Sequence, residues 1–187
     1  NGNVSFTGPR ACYDESKRIG ETICNIFAKE YKLPIKVVRP FNIYGPLQDL
    51  DDKRIIPDLM KYALSKNQIA LYGGDATRTF CYISDAISII LKILLKKQNK
   101  ILTYNIGNDK NELSIKQLSN IFIPIVYKTL KKKMKVILRK SKDKNYLKDN
   151  PTRIIPDISK LRKDIKWKPQ VSLREGLKRT LLSYIQN

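Results

Sequence analysis

At 187 residues and 42% hydrophobic content, the chain is long enough for one domain with its own core, and no apolar run approaches the roughly 20 residues that span a bilayer. Histidine is absent and the three cysteines (Cys12, Cys24, Cys81) form no CxxC, which argues against a zinc-type site and fits reduced thiols in a cytoplasm. The net charge of +20 admits attraction to nucleic acid or an anionic membrane surface, but the surplus is spread along the chain, and its densest run, 128–144, lacks the aromatic residues on which single-strand binders stack bases.

Residues 14–31 carry Ile19, Ile23, Ile26 and Phe27 at helical spacing, which predicts an amphipathic helix. LPIKVVRP (33–40) reads as a buried strand opened and closed by proline, and FNIYGP after it as a loop. A second helix is predicted over 54–66, with Ile55, Leu59 and Tyr62 on one side. IALYGG (69–74) is a short strand ending in a turn, and TFCYIS (79–84) another strand. Ser84 or Asp85 is placed to cap a helix running to about Lys96. LTYNIG (102–107) reads as a strand stopped by Gly107, Ser114 as the start of a further helix with Glu112 close by, 135–139 as a strand, and 140–153 as a polar loop. Two helices are predicted near 157–164 and 172–186, capped by Asp157 and Ser172 and separated by Pro169, with Trp167 in the core. This alternation predicts an α/β layered fold. The Gly-rich phosphate turn of a doubly wound dinucleotide-binding fold, GxGxxG or GxxGxxG, occurs nowhere in the sequence.

Tyr13-Asp14-Glu15-Ser16-Lys17 puts a phenol and an ammonium four residues apart, on one face of a helix. An ammonium beside a phenol favours the phenolate, a usable general base toward a sugar hydroxyl. By itself the spacing reads as an ordinary amphipathic pair, and Tyr62/Lys66 and Tyr127/Lys131 repeat it.

Context separates the first pair from the others. GPRACYDESKRIGET, followed by VVRPFNIYGP, resembles the extended short-chain dehydrogenase/reductase superfamily: the nucleotide-sugar epimerases, dehydratases and decarboxylases. The resemblance runs on through TRTFCYISDA, YNIGN, NPTRIIPDISK and IKWKPQVSLREGL, in the family's order and over nearly the whole chain. GPRACYDESKR and TRTFCYISD are most similar to the UDP-glucuronate decarboxylases. The implied fold is the C-terminal part of a Rossmann-type doubly wound sheet (1–45 and 80–110) plus a smaller α/β nucleotide-sugar-binding domain (46–79 and 111–187).

The same resemblance implies NAD as cofactor and a UDP-sugar as substrate. Tyr13 would act as base and acid at the sugar C4 oxygen, and Lys17 would hold the nicotinamide ribose. Pro40 and Phe41 would lie along the nicotinamide side of the cleft. Asn42 would reach the diphosphate, Tyr72 would sit near the uracil, Arg78 would meet the diphosphate or a substrate carboxylate, and Arg153 the diphosphate. Guanidinium forks suit phosphate oxygens. Each residue also has a plainer reading: Asn42 as a turn former before Gly45-Pro46, Arg78 as a strand residue, Arg153 as a loop charge, Asp85 as a helix cap. The implied chemistry is C4 oxidation of UDP-glucuronate, loss of CO2 from the resulting β-keto acid, and return of hydride to give UDP-xylose. A 4,6-dehydratase or 4-epimerase shares the first step.

Relatives place a Ser or Thr well ahead of the tyrosine and the Gly-rich turn further upstream, whereas twelve residues precede Tyr13 here. The chain is therefore expected to be the C-terminal portion of a longer protein that forms homodimers through the YxxxK helix. Alone it is expected to be inactive, with an exposed sheet edge and apolar face that make it associate. Two other readings stay open: a non-catalytic nucleotide-sugar binder that keeps Asn42, Arg78 and Arg153, and a basic polyanion-binding module.

Overall fold

The computed structural model describes residues 7–8, 11–72, 74–97, 101–139 and 151–186. Helices and strands alternate as expected, and most strand pairs are parallel. Two hydrophobic clusters organise the molecule.

The first cluster is built on a parallel pair, β1 (Lys36–Pro40) and β6 (Leu102–Ile106), in register from Lys36 opposite Leu102 to Pro40 opposite Ile106. Leu102, Tyr104 and Ile106 alternate inward along β6, the period of two that a half-buried strand requires. Helix α3 (Ile83–Leu95) lays Ala86, Ile89 and Ile93 onto this sheet at helical spacing. Helix α5 (Ser159–Ile165) adds Leu161, and Trp167 closes the cluster in the core, as expected. Helix α1 (Ala11–Glu30) flanks β1, yet none of its residues is buried.

The larger cluster joins α2 (Ile55–Ser65), β3 (Gln68–Tyr72), α4 (Ile115–Leu130), β8 (Lys135–Arg139) and α6 (Leu173–Ser183). Leu59, Met60, Ile69, Phe122 and Leu177 are fully enclosed there. Ser114 starts α4 through a capping box: its hydroxyl accepts from Gln117 N at 3.1 Å while its own N–H donates to Gln117 Oε1 at 2.7 Å. Ser172 caps α6 through its hydroxyl, which accepts from Glu175 N at 3.3 Å. Gly176 lies where α6 crosses the aromatic pair Tyr44 and Tyr82. A Cβ there would stand 2.1 Å from Tyr44 Oη, so only hydrogen lets the helix pack this closely.

Several local expectations give way. The loop after β1 contains β2 (Ile43–Tyr44), paired with β5 (Cys81–Tyr82). The strand expected over 79–84 is only those two residues of β5, because α3 starts at Ile83. Neither Ser84 nor Asp85 caps α3: the N-cap is Tyr82, with no side-chain cap. Asp85 is instead buried in the first turn, and its Oδ2 accepts from Gln170 N (3.0 Å) and Val171 N (2.9 Å). The N-cap of α5 is Ile158. Asp157, one residue earlier, reaches past it to accept from Ser159 N at 2.9 Å, and this bond lowers its carboxyl pKa. Of the loop expected over 140–153, residues 140–150 lie outside the described residues, as does Gly73 of the expected turn.

A three-stranded patch completes the fold. β4 (Thr77–Arg78) lies between β7 (Leu113–Ser114), antiparallel, and β9 (Arg153–Ile154), parallel. No described helix is long and apolar enough to cross a membrane.

Candidate functional site

Tyr13 and Lys17 occupy the first turns of α1. The helix forms there because apolar residues recur every three to four positions, Asp14 stands in its first turn and Lys29 in its last, matching the macrodipole. Lys17 Nζ lies 5.4 Å from the centroid of the Tyr13 ring, so the sequence spacing does bring phenol and ammonium onto one face. Tyr13 is 57% exposed, open to a ligand approaching that face. Helix and sheet are tied by a two-pronged ion pair: Arg39 of β1 donates through Nε and Nη2 to Glu21 Oε1 and Oε2 at 2.6 and 2.5 Å.

Pro40 ends β1, and Phe41 continues its pairing by donating its N–H to Ile106 O at 2.9 Å. Gly107 packs directly against this bend, where a Cβ would come within 3.1 Å of Phe41 Cβ and 2.9 Å of Pro156 Cγ. Asn42 takes the left-handed backbone (φ 44°), a conformation asparagine tolerates better than most residues. Its Nδ2 donates to Thr79 O at 2.9 Å and its carbonyl accepts from Cys81 N at 3.1 Å. Asn42 thus shapes the turn and also joins β1 to the strand segment carrying Arg78. Tyr72 stands at the end of β3, opposite Arg139 of β8, with 36% of its surface exposed.

Arg78 and Arg153 sit on adjacent strands but point to opposite faces. In the β4–β9 register Thr77 pairs with Arg153 and Arg78 with Ile154, and registered partners share a face. Arg78 shares the inner side with Leu113 and is 8% exposed. Its Nη1 donates to Thr77 O (2.8 Å) and Thr152 O (3.1 Å), and Nη2 to Pro151 O (2.7 Å). The buried guanidinium therefore holds the chain that leads into β9. Arg153 is on the outer side with Thr77, and there it meets Glu112. Arg153 Nε and Nη2 donate to Glu112 Oε1 and Oε2 at 3.0 and 3.1 Å, and Thr77 Oγ1 donates to Oε1 at 2.6 Å. The Arg153 bond, then that of Thr77, holds the Glu112 carboxyl below its ordinary range.

Glu112 and Thr77 were missed as members of this cluster. They come together across 35 and 41 positions of sequence, so no local pattern announces them; the one usable hint was an acidic residue shortly after YNIGN in a strongly basic chain.

The residues present divide in their fit to a dinucleotide. A phenol and a three-donor ammonium on one exposed face suit the ribose and nicotinamide end. For the pyrophosphate end, none of the 187 residues forms the Gly-rich turn that usually cradles it. Among the described residues no group of three or more His, Cys, Asp or Glu could hold a metal ion.

The chain is similar to known proteins in sequence and in fold. The sequence is 34% identical over 184 residues to UDP-glucuronic acid decarboxylase 1 of Xenopus tropicalis, covering 96% of this chain and 40% of that one. The fold matches UDP-glucuronic acid 4-epimerase of Bacillus cereus, solved with UDP-glucuronic acid and NAD, with a TM-score of 0.78 and 30% identity over all of this chain and 57% of that one. It also matches the dTDP-glucose 4,6-dehydratase of Bacillus anthracis in complex with NAD, with a TM-score of 0.75 and 26% identity over all of this chain and 57% of that one. The chain spans less than half the length of the curated relatives it matches. Residues 2–107, which include the tyrosine–lysine segment and run to the glycine after β6, match the profile of one family. On that match, and with an α/β parallel fold of the Rossmann type, the chain belongs to the NAD dependent epimerase/dehydratase family.

Proposed function

We propose that this chain supplies the proton-transfer pair and the nucleotide-sugar-binding part of an NAD-dependent enzyme that acts at C4 of UDP-glucuronate and decarboxylates it to UDP-xylose. The exposed Tyr13–Lys17 face of α1 supports this most directly, in a chain one-third identical to a UDP-glucuronic acid decarboxylase. Residues 1–45 and 80–110 are assigned to the dinucleotide-binding half and 46–79 and 111–187 to the nucleotide-sugar half, with α5 packing Leu161 into the cluster of β1, β6 and α3 and Tyr44, Phe80 and Tyr82 packing into the larger cluster.

Bound NAD supplies hydride acceptance and return at the sugar carbon. Tyr13 takes the proton of the C4 hydroxyl and later returns it. Lys17 donates to the nicotinamide ribose. Pro40 and Phe41 line the nicotinamide side, held by the bond from Phe41 N to Ile106. Asn42 and Arg153 take the diphosphate and Tyr72 the uracil, while Arg78, buried on the opposite face of β4–β9, does not reach the same ligand and instead positions the Pro151–Thr152 segment that leads to Arg153.

The protein at its natural length, given UDP-glucuronate and NAD, should release CO2 and form UDP-xylose, measured by chromatography of the nucleotide sugars. UDP-galacturonate without CO2 would favour 4-epimerisation, the second reading, which the likeness to the Bacillus cereus epimerase motivates. Binding of UDP with no turnover of either kind would leave a nucleotide-sugar binder. The 187-residue chain alone should turn over nothing, because it lacks a cradle for the NAD pyrophosphate.

A further inference from the structure

Arg153 takes the diphosphate in the function proposed above, yet its fork is already filled. Both of its prongs end on Glu112, and Thr77 adds a third donor to the same carboxylate. The carboxylate is delivered there by a shaped loop. Asn108 Oδ1 accepts from Lys110 N at 2.9 Å, closing a turn after Gly107. Asp109 is pinned to Arg162 of α5 at 2.5 Å. Asn111 adopts the left-handed conformation (φ 60°) immediately before Glu112, and β7 begins at Leu113. Glu112 thus emerges on the face where Thr77 and Arg153 project.

A carboxylate and a phosphate present the same pair of oxygens to a guanidinium, and the phosphate carries the greater charge. We propose that Glu112 is a specificity-determining residue: a tethered carboxylate that occupies the Arg153 fork until the nucleotide's diphosphate displaces it. The inference rests on Arg153 being a diphosphate ligand. A ligand without phosphates gains nothing at this fork. A diphosphate must first evict Glu112, which holds affinity below what Arg153 alone would give. On release, Glu112 recaptures the fork and keeps the diphosphate from rebinding.

The test is calorimetric titration of the natural-length protein with UDP and, separately, with uridine. Arg153→Ala should weaken UDP by about tenfold, as expected for loss of a charge-assisted forked contact. Glu112→Gln and Glu112→Ala should each tighten UDP by about two- to tenfold, since exposed ion pairs are weak competitors, and leave uridine unchanged. In the Arg153→Ala background the Glu112 substitutions should change nothing. If Arg153→Ala leaves UDP binding intact, the diphosphate role of Arg153 falls, and the latch with it. If Arg153→Ala weakens UDP but neither Glu112 variant tightens it, the latch alone is overturned. Equal tightening with and without Arg153 would also overturn it, leaving Glu112 as a general repulsive charge.

Discussion

Helices α1 and α4 are both amphipathic, twenty and sixteen residues long, and they end in opposite situations. α4 buries Leu118, Phe122, Ile125 and Val126 against α2, β3 and α6. α1 buries nothing, and Ile19, Ile23, Ile26 and Phe27 each keep about half of their surface exposed. Helical periodicity reveals which side of a helix is apolar; it does not reveal what that side meets. In α4 the stripe is spent on this chain's own core. In α1, the helix that carries the proposed proton-transfer pair, it is left as an apolar surface of the kind that marks an interface; the homodimer expected from the sequence would cover it.

Catalysis should break the symmetry most sharply. Tyr13→Phe in the natural-length protein should lower turnover of UDP-glucuronate by about 100- to 10,000-fold, the usual yield of a general acid–base group, with UDP affinity unchanged. Next comes stability. Phe122→Ala should cost about 3–5 kcal/mol for a fully enclosed aromatic, whereas Ile23→Ala should stay within about 0.5 kcal/mol, as at exposed sites; denaturant melts separate them. An equal cost at both positions would show that α1 is buried in solution.

Thiols sharpen the same contrast. Cys12 is exposed on α1, while burial pushes the Cys81 thiol up to about 12. A disulfide reagent should label Cys12 rapidly and Cys81 only on unfolding. Above pH 9.0, the ordinary thiol value, an unfolded Cys81 loses its proton while the folded one keeps it. The unfolded state then binds fewer protons, so stability falls as pH rises toward 12 and is unaffected by this group below pH 9. The smallest effect should come from Ile23→Lys, which should weaken self-association in sedimentation velocity without moving the melting temperature; unchanged association would place the contact elsewhere.

Much of this was legible in sequence. The Ser114 and Ser172 caps, the strand at 135–139 and the face shared by Tyr13 and Lys17 rest on local chemistry, which acts over three or four residues. What escaped depends on distant partners. Asp85 reads as a cap because aspartates cap helices, but its carboxylate is claimed by amides 85 and 86 positions away. Arg78 and Arg153 read as a matched pair, and their motifs do lie on neighbouring strands; that they face opposite ways follows from a strand register no local pattern encodes. The strand expected over 79–84 keeps only Cys81 and Tyr82, because α3 starts at Ile83.

The Arg39–Glu21 fork has a consequence for how the protein responds to ionic strength. α1 has no fully buried residue, and this half-exposed pair, whose side chains are 50% and 30% exposed, is one of its ties to β1. Raising salt from 0.1 M to 1 M shortens the reach of such charges from about 10 Å to about 3 Å. Concentrated salt should therefore loosen α1, and trypsin should cut faster near Lys32, where the backbone is left-handed, while the α4 core, held by enclosed Leu118, Phe122 and Val126, stays intact.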